Sequence, residues 1–287
     1  MLAAASLLPL EAAPKSIAAF SGASALAFTA RAVEFGPRPP GSPALRKLQD
    51  YIVGQLKLDH CEITVDPFTA QTPRGPIRMA NIIAHFRGEG GGAVAVTGHY
   101  DTKLLPGIRF VGANDGGSST GFLLEMARVL AARPPKLNVY LVWLDGEEAI
   151  AQWSDTDGIY GSRQLAARWE ADGTLARLKA LINVDMIGDR NLGILQEMNS
   201  SESLRRLIWN TAAELGLSRY FLDQGGAVED DHVPFLLKGV NAVDLIDFDY
   251  GPGNSYWHTA NDTMDKLSAE SFKVVGTVVL AVIEKLE

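Results

Sequence analysis

Val139-Tyr140-Leu141-Val142-Trp143-Leu144 runs without a charge and then breaks into Asp145-Gly146-Glu147-Glu148. A short apolar run closed by a turn residue reads as a strand covered on both faces, as strands of a parallel sheet are. The same pattern recurs outward from it. The runs 80–86, 93–97, 181–184 and 242–246 also read as strands. Longer amphipathic patterns over 44–56, 119–132, 203–215 and 268–286 read as helices, the last with Ser268 as its N-cap. This alternation predicts one α/β domain with a mostly parallel sheet. The glycines of 88–92 read as a hairpin loop between the first two strands, and the Pro- and Gly-rich 35–43 as a turn or extended link.

Composition narrows the function. The chain has 287 residues and a formal net charge of -8. An acidic compact protein is a poor partner for nucleic acid or an anionic membrane surface. No stretch is long and uncharged enough to span a bilayer. Cys61 stands alone, so no disulfide can form within the chain, and a buried structural thiol is the expectation. The apolar start, 1–10, lacks the basic flank of an export signal and reads as a trimmed remnant or a chain end.

In open α/β sheets, sites gather at the carboxyl ends of the strands. Those ends carry metal-type ligands here: His99 and Asp101, then Asp145, Glu147 and Glu148, then Asp185. Asp115 lies in the glycine-flanked Gly112-Ala113-Asn114-Asp115-Gly116-Gly117, Asp230-Asp231-His232 opens a helix, and His258 follows the last strand. Singly, each has a bland reading: a turn Asp orders its loop, and paired Glu residues form a solvated face. Together, so many acids on one rim would repel one another without a cation. Imidazole and carboxylate without thiolate suit Zn²⁺, with manganese or cobalt as substitutes. With Glu147 and Glu148 adjacent, one can bind the metal while the other serves as general base.

The blocks Gly98-His99-Tyr100-Asp101, Ala113-Asn114-Asp115, Asp145-Gly146-Glu147-Glu148, Val184-Asp185 and Trp257-His258-Thr259 resemble those of the zinc exopeptidases and of the glutaminyl cyclases that share their fold. The resemblance runs across nearly the whole chain. It implies a single three-layer α/β/α catalytic domain over 1–287 around a twisted, mixed, mostly parallel sheet, with 1–30 as an N-terminal extension or helix. In an aminopeptidase of this type His99, Asp115, Glu148, Asp185 and His258 would hold two zinc ions. In a cyclase Asp115, Glu148 and His258 would hold one, leaving His99 and Asp185 as a possible second site.

Further blocks favour the animal-type cyclases. Glu147-Glu148-Ala149, Trp153-Ser154, Tyr160-Gly161-Ser162-Arg163 and Asp230-Asp231-His232-Val233-Pro234-Phe235-Leu236 are similar to theirs, as is Phe35-Gly36-Pro37-Arg38-Pro39-Pro40-Gly41-Ser42. The resemblance makes Glu147 the base, Asp230 a second catalytic acid, and Trp153, Trp257, Glu229 and Asp244 substrate-pocket residues. Asp244 and Glu229 depart from it, since those cyclases usually carry His and Gln there. The implied reaction converts a peptide's N-terminal Gln to pyroglutamate and releases ammonia; the alternative is a two-zinc aminopeptidase. The expected partner is a peptide or protein N-terminus and the expected state a monomer. A secreted or periplasmic location is expected, with the cytoplasm as alternative. Trp143, Trp169 and Trp209 are expected in the core.

Overall fold

The computed structural model describes residues 19–287, so the apolar start lies outside the described residues. In chain order the strands are β1 (Glu62–Thr72), β2 (Gly75–Phe86), β3 (Ala93–His99), β4 (Asn138–Leu144), β5 (Leu178–Asp185), β6 (Ile194–Glu197), β7 (Phe221–Gly226) and β8 (Ala242–Ile246). The helices are α1 (Gly22–Glu34), α2 (Pro43–Leu56), α3 (Gly117–Ala132), α4 (Tyr160–Ala171), α5 (Glu202–Glu214), α6 (Val233–Leu236) and α7 (Ala269–Leu286). The main sheet has six strands in the order β1-β2-β4-β3-β5-β8. β3, β4, β5 and β8 pair in parallel, while β1 and β2 join antiparallel at one edge. β6 and β7 form a separate parallel pair.

Alternate residues of each central strand face opposite layers, as the pleat requires. Val94, Val96, Leu141, Trp143, Ile182 and Val184 pack with α1, α2, α3, α5 and α7. Ala95, Val142, Leu144 and Leu181 pack on the other side with Leu165, Ala166 and Trp169 of α4 and Phe235 of α6. Hence β3 and β8 are buried along their whole length, which is why they read as mostly apolar runs, with Asp244 the one charge within β8. Trp143 and Trp169 are core residues; Trp209 is only partly buried. Cys61 is also partly buried rather than enclosed, and its thiol points at the Leu56 carbonyl.

The hairpin expected at 88–92 does not form. β2 pairs with β1 and β4, and β4 lies between β2 and β3. The glycine loop instead straddles the start of β4: the N–H groups of Glu89 and Gly90 donate to the Lys136 carbonyl, and Asn138 N–H donates back to Gly92. A five-residue glycine loop fits adjacent strands and strands one place apart equally well. The occupant of the gap comes from later in the chain.

Among the described residues no helix is long and apolar enough to cross a membrane.

Candidate active site

The carboxyl ends of β3, β4, β5 and β8 open on one side of the sheet, and the candidate ligands meet there. His99 is the last residue of β3 and Asp185 the last of β5. Asp115 sits just before α3, where Gly116 turns the chain at φ 76°; a Cβ there would lie 2.2 Å from the Asp101 carbonyl oxygen. Two neighbours tie this loop to the other ligand-bearing loops. Asn114 donates its amide N–H to the Met186 carbonyl and accepts from Gly188 N–H. Asp262 accepts the N–H groups of Asn114 and Asp115 at 2.8 and 3.1 Å.

Asp115 stands between two groups of donors. Its Oδ2 is 3.2 Å from His258 Nε2, which is 3.0 Å from Glu148 Oε1. Its Oδ1 is 3.2 Å from His99 Nε2, which is 3.2 Å from Asp185 Oδ1. Each set, Asp115–Glu148–His258 and His99–Asp115–Asp185, brings its ligand atoms within 4.8 Å of one another. Asp115 Oδ2 is buried and has no hydrogen-bond partner despite the nearby imidazole. A buried, unpartnered carboxylate oxygen beside imidazole and carboxylate donors is what a shared metal ion would satisfy. Burial works against a charged His258, yet the adjacent carboxylates of Asp115 and Glu148 raise its pKa to about 9. A divalent cation takes over that neutralising role and leaves the imidazole free to ligate. The donor set therefore fits a zinc-type ion. His258 and Met186 hold left-handed backbone, φ 52° and 47°, a local strain that clusters at functional sites.

Adjacent acids at the end of β4 part company. Glu148 joins the His258 group and pairs with Lys103 at 3.0 Å. Glu147 belongs to neither group and lines the cavity. Its pKa is raised well above the ordinary glutamate value, mainly by burial, with His99 opposing and Glu148, Asp230 and Asp231 adding to the rise. Asp145 turns away to accept from Ala80 N–H at 2.8 Å and plays no part in either group. Asp101 holds the turn: its carboxylate accepts the N–H groups of Gly146, Glu147 and Glu148 at 3.0, 3.2 and 3.3 Å.

A cavity of about 620 Å³ opens beside the Asp115–Glu148–His258 group. Trp153, Trp257, Phe248 and Ile246 supply apolar wall, and Glu147, Asp230 and Glu229 supply acids. Trp257 stacks on His258, centroids 4.0 Å apart, and tilts against Phe248 at 5.1 Å. Trp153 is 37% exposed at the rim and donates its indole N–H to Glu229 at 3.1 Å. Asp244 needs correction. It is fully buried within β8, accepts from Asn183 Nδ2 at 3.0 Å, and is not on the cavity wall. Burial raises its pKa well above the ordinary aspartate value, and the nearby carboxylates of Asp230 and Asp185 raise it further, so it lies behind the site.

Sequence reading missed Phe248, Ile246 and Leu195 as wall residues. Apolar residues near strand ends look like core until the cavity is seen. His232 also left the ligand set: it is buried against Glu197 at 3.1 Å.

Residues 81–283 match peptidase family M28. The chain is 31% identical over 252 residues to the glutaminyl-peptide cyclotransferase of Drosophila melanogaster, covering 79% of this chain and 70% of that protein. The crystal structure of an Acidobacteriales bacterium glutaminyl cyclase is 41% identical, with a TM-score of 0.91 over 98% of this chain and 99% of that one. A leucine aminopeptidase precursor from Bacteroides thetaiotaomicron is 27% identical, with a TM-score of 0.84 over 93% of this chain and 98% of that one. The chain therefore belongs to peptidase family M28, and its relatives there include glutaminyl-peptide cyclotransferases.

Proposed function

We propose that this protein is a zinc-dependent glutaminyl-peptide cyclotransferase, which closes the N-terminal Gln of a peptide into pyroglutamate and releases ammonia. One observation carries the reading: Glu147, buried and outside both ligand groups, lines the same aromatic-walled cavity as Asp115, Glu148 and His258. The similarity to named cyclases supports it.

Asp115, Glu148 and His258 would hold a single zinc ion, which supplies Lewis-acid polarisation of the γ-amide oxygen. The cavity takes the Gln side chain against Trp153, Trp257 and Phe248. Its apolar wall keeps water from the γ-carbon, so the substrate's own α-amine is the nucleophile. Glu147 accepts a proton from that amine as the N–C bond forms and delivers it to the departing nitrogen as the amide C–N bond breaks. Ammonia leaves and no water is consumed. Asp230, on the same wall, holds the transferring amide and its protons. Fixing amine and amide in ring-closing geometry supplies much of the rate.

A second reading rests on the intact His99–Asp115–Asp185 group, which could hold a second ion in an aminopeptidase. Ammonia release from a Gln-led peptide, against residue release from a Leu-led one, separates the two.

A further inference from the structure

Loop 149–158 leaves the site directly after Glu148 and carries Trp153. It is closed at its feet by two backbone bonds, Ile159 N–H to the Glu147 carbonyl at 2.7 Å and Tyr160 N–H to the Gly146 carbonyl at 2.8 Å. Between the feet the loop has almost no regular structure. Loops of this kind hold one shape only when side chains replace the missing ladder.

Here a single carboxylate does so. Asp157 Oδ1 accepts Ile150 N–H at 2.7 Å and the Tyr160 hydroxyl at 2.8 Å. Its Oδ2 accepts the N–H groups of Ala151 and Gln152 at 2.8 and 2.9 Å. Asp157 is 1% exposed. Burial disfavours its ionised form, but the backbone and Tyr160 bonds outweigh that and lower its pKa below the ordinary aspartate value. Ser154 and Asp157 also exchange both backbone bonds, at 3.2 and 3.1 Å, around the turn that follows Trp153. The indole packs against Gly158, where a Cβ would come within 2.9 Å of the ring. So the carboxylate fixes the chain immediately before Trp153, and its own backbone fixes the chain immediately after.

We propose that Asp157 is a positioning residue for substrate binding: by fastening loop 149–158 it holds the Trp153 ring on the cavity wall. The base and the metal ligand do not depend on it, because Asp101 separately holds the N–H groups of Gly146, Glu147 and Glu148. Loosening the loop should therefore weaken capture of the substrate and spare the chemistry. The kinetic arm of this inference rests on the cyclotransferase reading; the structural arm does not.

The test compares Asp157→Asn with the unaltered enzyme, both zinc-loaded. The asparagine amide must turn an N–H toward backbone N–H donors, so the clamp fails with little change in volume. Hydrogen exchange read by mass spectrometry should show lost protection in 149–158 and unchanged protection in β3 and β4. With a Gln-led peptide, KM should rise about tenfold while kcat stays within about threefold and zinc content is unchanged. Tyr160→Phe removes one donor and keeps the three backbone ones; it should shift exchange and KM the same way by less, and it serves if the asparagine variant does not fold. Unchanged exchange in 149–158 overturns the clamp. Loosened exchange with an unchanged KM, or a loss confined to kcat or zinc, overturns its role in binding. If the unaltered enzyme releases no ammonia from the peptide, the cyclotransferase reading fails, and the exchange comparison alone still upholds or overturns the clamp.

Discussion

The carboxylate of Asp101, just beyond β3, accepts the backbone N–H of Glu147, just beyond β4, at 3.2 Å. Two neighbouring strands are thus locked together where the base is presented, and the lock acts on the backbone of Glu147, not on its side chain. Glu147→Gln should keep the fold and the bound zinc and lower kcat by about 10²–10⁴, the usual contribution of a general base. Turnover of a Gln-led peptide, with zinc measured on the same sample, checks this. Full activity would remove Glu147 from the role.

Glu148 has a different fate although it is the next residue. It lies 3.0 Å from His258 and 3.0 Å from Lys103. Glu148→Gln should lower zinc affinity, with activity restored in part by excess zinc. Zinc titration against a chelator reads it, and an unchanged affinity would contradict its place as a ligand.

Trp257 stacks on His258 and leans on Phe248. Trp257→Ala opens the apolar wall and should raise KM by about tenfold or more, in line with the ~1–3 kcal/mol carried by small changes in apolar pockets. Steady-state kinetics check it; a fall in kcat at constant KM would contradict it.

Glu197 predicts an acid-sensitive stability. Burial alone would raise its pKa, but His232 and the groups of Asn199, Ser200 and Val228 offset this and hold it at about 2. Because the folded pKa lies below the unfolded one, the stabilisation is present above about pH 4.3 and fades as pH falls toward 2. Glu197→Gln should cost on the order of 2 kcal/mol at pH 7 and flatten the fall in urea midpoint between those pH values. An equally steep fall in the variant would contradict the assignment.

How far the sequence reaches depends on what each element asks of its residues. β3, β4, β5 and β8 were legible because packing on both faces demands mostly apolar residues, although Asn183 and Asp244 interrupt β5 and β8. β1 was not: it is an edge strand with exposed positions and Pro67 inside it, which argue against a strand when only sequence is visible. α4 starts from Ile159 in left-handed backbone with no side-chain cap, so no start signal precedes it. The candidate ligands Asp115, Glu148 and His258 were legible because each follows a strand or a glycine turn. The clamps Asp101, Asp157, Glu197 and Asp262 were not, since their role depends on which N–H groups point at them. Asp145 and Glu147 look alike in sequence and face opposite ways in space.

The central claim is that the substrate's own amine attacks its side-chain amide. The direct measurement offers zinc-loaded protein a short Gln-led peptide and the same peptide led by Leu, with ammonia and free amino acids both quantified. Ammonia release with the Gln peptide otherwise intact, and no free Leu, is the predicted result. Free Leu without ammonia would contradict the account and assign the site to a two-metal aminopeptidase.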